Sequence, residues 1–262
     1  MASYFIYDSI NMYRSDMTDS EGVMTNSATP TFSTGTTVTS HERASDQNIG
    51  TAISGLADLD AIEYAVGSTA TANSAAVYFN ADDGISSGTI MNFFIDTSRD
   101  SGGSGLANKG TISAVSAAGW ATTDLTETAG TKFFVEFTGS ITDNVITEIL
   151  IGKKLSFEVE PDVNVQTKRD YGTSVQKSLG GVEYALNTHD AQEVSTISFQ
   201  NISSTFKTNL LSMEDDLKGQ SKKFLWYDGS SFHWIRLDKP MTFTEIADGR
   251  FSTQIVMRQQ IQ

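Results

Sequence analysis

From Ser203 onward the sequence spells one amphipathic helix and then two β-hairpins. Phe206, Leu210, Met213 and Leu217 recur at spacings of four, three and four, which places them on one helical face. The spacing predicts a helix over 203–218, started by a Ser203 or Ser204 cap and stopped at Gly219. Two aromatic strands follow, around an Asp228-Gly229 turn. After Pro240, two more flank Asp248-Gly249. An antiparallel sheet with one packed helix is more often an assembly or binding scaffold than a catalytic one.

The chain has 262 residues, enough for one large or two ordinary domains. Hydrophobic residues make up 39%, the rest being rich in Ser, Thr, Gly and Asn, with only three prolines. With few helix-length periodic segments, this favours a mainly β chain. The absence of cysteine excludes disulfides and thiolate metal sites. No apolar run approaches the roughly 18 residues of a membrane span. The opening Met-Ala-Ser-Tyr-Phe-Ile-Tyr-Asp lacks the basic start and apolar stretch of a secretory signal, so none is expected.

The net charge of −14 is unevenly placed. Residues 1–150 carry 18 acidic and 5 basic side chains, and residues 151–262 carry 14 and 13, giving −13 and −1. The break marks two physically different modules. The acidic half repels nucleic acid and anionic membrane, which are bound by neutralising their phosphates, so neither is an expected partner.

Three segments follow. Residues 1–44 read as a short strand, Tyr4 to Tyr7, and an extended arm. Residues 45–150 read as an acidic β-sandwich, jelly-roll-like, with strands at 61–66, 75–80, 89–96, 132–138 and 145–152. Residues 151–262 read as a β-barrel or split sandwich with the helix laid against it, its earlier strands at 155–160, 163–169, 181–186 and 193–199.

Little in the chain resembles a catalytic cluster. Gly84-Ile-Ser-Ser-Gly88 matches a nucleophile-elbow pattern, but that pattern needs a strand before it and a helix after it. Here Asn80-Ala-Asp-Asp precedes and a strand follows, so Ser86 reads as part of a hairpin loop. His41, His189 and His233 share no ligand spacing, and His233 reads as a sheet-surface residue. Asp96, Ser98 and Asp100, followed by Gly102, resemble the start of a calcium loop, which makes calcium the one cofactor to consider. The distal bidentate carboxylate is missing, and turn chemistry explains these residues equally well. Trp226, Tyr227, Phe232 and Trp234 form an aromatic group open to three readings: core, subunit interface or sugar platform. No enzyme activity is expected.

The order of Ile149-Leu-Ile-Gly152, Tyr171-Gly172, Leu179-Gly-Gly-Val-Glu-Tyr184, the helix, the aromatic hairpin and the terminal Gly249-Arg-Phe-Ser-Thr-Gln-Ile-Val-Met resembles the ring-forming tail proteins of tailed bacteriophages, notably the distal tail (baseplate hub) family. The resemblance covers mainly residues 150–262. It implies a barrel with one helix that assembles into a hexameric ring at the tail tip, with other tail proteins as partners. It also implies a virion protein made in the bacterial cytoplasm. In that family an extra sandwich lies after or within the barrel, whereas here residues 45–150 precede it. On this reading Phe206, Leu210, Trp226, Trp234 and Phe251 form the barrel core or its subunit interfaces. A carbohydrate- or receptor-binding module built on the front sandwich, with glycan as ligand, is the competing expectation. Another head, neck or tail ring protein is a third.

Overall fold

The computed structural model describes residues 3–8, 10, 17–23, 52–53, 61–80, 90–96, 107–113, 118–139, 146–162, 166–179, 181, 183–187 and 191–259. The chain is mainly β, as its composition implies, and divides into two compact units. Met1–Tyr7 and Leu155–Ile261 form one, and Asp8–Lys154 form most of the other. The first strand, β1 (Tyr4–Tyr7), therefore belongs to the C-terminal unit and not to an N-terminal arm. The front unit is an insertion after β1.

The front unit contains β2 (Met17–Val23), β3 (Ala61–Phe79), β4 (Ile90–Asp96), β5 (Gly110–Ser113), β6 (Gly119–Thr138) and most of β7 (Ile146–Ser156). The order is β5-β4-β6-β3-β7, with antiparallel pairing throughout. β2 and β7 share one edge of β3, β2 along its first part and β7 along its last. The sequence predicts two strands at 61–66 and 75–80; the structure has one long strand with register shifts between Ala65 and Ala70 and between Ala72 and Ser74. Asn73 lies in the second shift, and its amide oxygen accepts the Lys154 N–H at 2.6 Å. Gly67 and Asn73 lie between the two expected strands, and here they mark irregularities in a strand that continues. Alternating side chains point inward: Met91, Phe93 and Ile95 of β4 lie opposite Phe137, Val135 and Phe133 of β6. All six join one buried cluster with Tyr64, Val77 and Ile149.

The C-terminal unit adds β8 (Gln166–Asp170), β9 (Thr173–Lys177), β10 (Glu183–Asn187), β11 (Gln192–Ser203), the helix α1 (Ser204–Asp216), β12 (Lys223–Tyr227), β13 (Phe232–Leu237), β14 (Thr242–Ala247) and β15 (Arg250–Gln259). Its sheet runs β1-β12-β13-β15-β11-β8, with β14 on the other half of β15's edge. β1 pairs with β12 through Phe5 and Trp226. Ser3 extends the hold, with its N–H and hydroxyl donating to Glu160 at 3.1 and 2.7 Å.

α1 forms where its apolar periodicity places it. The Ser203 hydroxyl accepts the Phe206 N–H at 3.1 Å, so Ser203 is the cap. At the other end Lys218 and Gly219 have φ of 53° and 65°, and the Gly219 N–H returns to the Glu214 carbonyl at 3.0 Å. Phe206, Leu210, Met213 and Leu217 are buried in a cluster with Phe5, Phe157, Phe199 and Phe224. Leu211, on the opposite face, is exposed.

Leu210→Ala is expected to remove about 2–5 kcal/mol from the C-terminal unit, because the cavity closes only in part. Leu211→Ala is expected to change stability by less than about 0.5 kcal/mol. Urea unfolding followed by tryptophan fluorescence separates the two, and equal effects would contradict this assignment of faces.

Candidate functional site

Two hairpins of the C-terminal unit carry its distinctive side chains. The first is built by β9 and β10, whose pairing joins Glu183 to Lys177 and Asn187 to Thr173. Among the described residues these strands pair only with each other. Glycines punctuate both ends of the hairpin. Gly172, at φ 56°, follows β8, and its N–H is held by the Asp170 carboxylate at 2.9 Å. Gly181, at φ 81°, closes the tip through the Ser178 carbonyl at 2.9 Å. Every residue of both strands is exposed. Tyr184 and Leu186 share one face, and Val175 lies opposite Ala185 on the other. Val175 is 62% exposed, Tyr184 62% and Leu186 68%, while Leu179 stands free at the tip. A Lys177–Glu183 ion pair at 3.3 Å and a Thr173–Asn187 hydrogen bond at 2.8 Å brace its margins. An isolated two-stranded hairpin is marginal in water, and this one exposes large apolar side chains on both of its faces.

The second is β12–β13. Asp228 opens its turn, and its Oδ1 accepts the N–H groups of Ser230 and Ser231 at 2.8 and 2.7 Å. The Ser230 hydroxyl donates to the same oxygen at 2.8 Å. Asp228 Oδ2 lies 2.9 Å from His233 Nε2. Burial pushes the Asp228 carboxyl up, but these donors, His233 first, outweigh it and lower its pKa from 3.8 to about 2. An ionised carboxylate only accepts, so His233 Nε2 carries the proton of that bond. The His233 ring packs on Trp226 at 5.0 Å.

Ser195 lines the same cavity of about 120 Å³ as Asp228 and His233, which invites comparison with a hydrolytic triad. The connectivity differs. No hydrogen bond joins His233 to Ser195 among the described residues, and the Ser195 hydroxyl lies 3.4 Å from that of Thr167. The Asp228–His233 pair locks the hairpin turn.

Of the residues singled out from sequence, Phe206, Leu210 and Trp226 are buried in the C-terminal cluster. Trp234 is buried opposite Leu225 on the other side of the sheet. Phe251 is half-buried, with the Lys207 ammonium 3.9 Å from its ring centre. Asp96 closes β4, whereas Ser98 and Asp100 lie outside the described residues, as do Ser86, His41 and His189. Among the described residues no three His, Asp or Glu side chains gather as metal ligands. The β9–β10 arm was not anticipated as a separate element. Its signal was present in Tyr171-Gly172 and Leu179-Gly180-Gly181, which bracket strands of five residues.

No known family profile matches the chain, and no curated protein does. Two solved structures show a weak likeness. One is "CBM32 of AlyQ in complex with 4,5-unsaturated mannuronic acid", 20% identical with a TM-score of 0.35, covering 45% of this chain and 92% of that one. The other is "Truncated AlyQ with CBM32 and alginate lyase domains", 18% identical with a TM-score of 0.35, covering 75% of this chain and 54% of that one. This chain thus spans about half of the second structure's length. At these values neither likeness brings a ligand or a reaction to this chain.

Asp228→Asn keeps the shape of the turn but removes its charge. Because the folded pKa lies below the unfolded one, the carboxylate's stabilisation is complete well above pH 3.8 and is lost as pH falls through 3.8 towards 2. The stability gap between the native protein and Asp228→Asn is therefore expected to be flat above about pH 5. It is expected to narrow from there to pH 2. Thermal unfolding across that range checks it, and a gap independent of pH would contradict it.

Proposed function

We propose that this protein is a non-catalytic structural component that assembles with copies of itself through its C-terminal unit. The observation that carries this reading is the β9–β10 arm. Burial of its Val175, Leu179, Tyr184 and Leu186 within one copy is not seen, and a neighbouring copy would supply it. In the finer form of the proposal the assembly is a closed ring of the tail-tip or baseplate kind, within a virion. That form rests on the resemblance of residues 150–262 to the distal tail family. The insertion of the front unit after β1 supports it, since the resemblance implies an extra sandwich after or within the barrel.

A second reading has one observation in its favour. Tyr78 and Trp120 lie directly opposite each other on β3 and β6, with ring centres 5.3 Å apart. Both are half-buried and turned away from the front unit's core. Such an edge-to-face pair offers an aromatic face on which a sugar ring would stack in this reading. A glycan panel probed with the full chain, with and without Trp120→Ala, tests this reading. Retention that the substitution abolishes would support it, and no retention would remove it.

For the assembly reading, light scattering behind size-exclusion chromatography is expected to give a multiple of the 28.4 kDa chain mass. Tyr184→Ser with Leu186→Ser is expected to give a folded single copy, because both side chains are exposed in the isolated chain. A native protein that runs as one copy at every concentration would overturn the proposal.

A further inference from the structure

The face of the C-terminal sheet opposite the helix cluster holds a groove of about 630 Å³. The register fixes its floor. Lys168 lies opposite Val194, Gln166 opposite Thr196, and Thr196 in turn opposite Val256. In the next row Ser198 lies opposite Gln254, and Gln254 opposite Thr242. Asp162 is tied to this floor by its N–H on the Ser198 carbonyl at 2.8 Å. The turn carrying Lys239 is tied by the Asp238 N–H on the Val256 carbonyl at 2.8 Å. A smaller hollow of about 250 Å³ continues past Gln200 and Gln254, lined by Thr242, Thr244 and Ser252. The surface is thus a band of hydroxyl and amide groups across four strands, each able to donate and accept.

The cations on this face of the sheet differ in how they are used. Arg258, beside Val194 in the register, donates to Asp238 at 2.8 Å, to Asp170 at 2.8 Å and to Gln192 at 3.1 Å. Its charge is already matched by two carboxylates. Lys168 and Lys239 are exposed, line the groove, and make no ion pair among the described residues. Asp162 is the one carboxylate among the lining residues, so the groove carries a net charge of +1 in a chain of net charge −14.

We infer that this groove binds an acidic saccharide. Its floor would exchange hydrogen bonds with ring hydroxyls, and Lys168 and Lys239 would each meet a carboxylate or sulfate. A nucleic-acid strand fits less well, because the groove lining has no aromatic side chain on which bases stack. An extended peptide would call for apolar pockets, and the lining offers only Val194 and Val256. The inference goes beyond both readings above, using neither the arm nor the Tyr78–Trp120 platform.

The test is calorimetric titration of the full chain with a short oligogalacturonate, a heparin-derived oligosaccharide, a maltodextrin of similar length and a single-stranded oligothymidylate. Binding of at least one acidic saccharide is expected, with the maltodextrin at least about tenfold weaker. Raising the salt is expected to weaken the acidic ligand and not the neutral one. Lys168→Ala with Lys239→Ala is expected to cost about tenfold. Its melting temperature and oligomeric mass are expected to stay native, since both side chains are exposed and lie outside the arm. The inference is overturned if neither acidic saccharide binds, if the double variant binds as well as the native chain, or if oligothymidylate binds as tightly as the saccharides. Loss of self-assembly would leave these outcomes untouched, so the two proposals fail separately.

Discussion

Phe157 holds the C-terminal unit together. Its ring meets Phe5 of β1 at 4.7 Å, Phe199 of β11 at 5.1 Å and Phe206 of α1 at 6.4 Å, all edge to face. Phe5 in turn meets Phe224 of β12 at 5.2 Å. Edge-to-face packing adds roughly 0.5–1.5 kcal/mol per pair beyond the area buried. The rings come from points far apart in sequence, with the whole front unit between the first and the second. This core therefore cannot form by local contacts alone, and closing so long a loop has an entropic cost before any ring meets another. An inserted unit that folds by itself shortens the effective loop, which is a physical reason for the insertion to be compact.

That dependence explains what could be read from sequence. The helix and the last two hairpins were legible because their signals are local: a 3.6-residue apolar period, a serine cap, and two Asp-Gly turns. The partner of β1 was not, since Tyr4-Phe-Ile-Tyr reads as a strand without saying which strand lies beside it. The break expected between residues 66 and 75, where Gly67 and Asn73 lie, has a related cause. Turn residues in a chain of small polar side chains look the same whether the strand ends or only shifts register, and Asn73 is satisfied by Lys154 across the sheet. In the candidate site, Trp226 and His233 were recognisable as hairpin residues. Their roles depend on Asp228, whose carboxylate gathers donors from the turn and from β13 at once.

The same limit applies to charge. A count gives the C-terminal module near neutrality, yet its charges divide into committed and uncommitted groups. Arg258 is bound by Asp170 and Asp238, so the guanidinium holds its proton even more firmly than usual, chiefly through the Asp238 hydrogen bond. Lys168, two residues from Asp170, faces the groove and makes no ion pair among the described residues. Only the strand register separates these cases, because it decides which side chains share a row.

Charge also bears on where cohesion between copies would arise. Each front half carries −13, so identical copies brought together repel through that half. Salt screens this repulsion over a Debye length of about 8 Å at physiological strength, but nothing in the front half's charge draws copies together. In the proposed assembly, attraction would come from the nearly neutral C-terminal unit, and the arm's exposed apolar side chains are suited to it. Apolar contact is indifferent to charge and is not weakened by the salt that relieves the repulsion. An acidic module that keeps copies apart and an apolar arm that joins them would act at different ranges, and the balance between them would set how closely the copies pack.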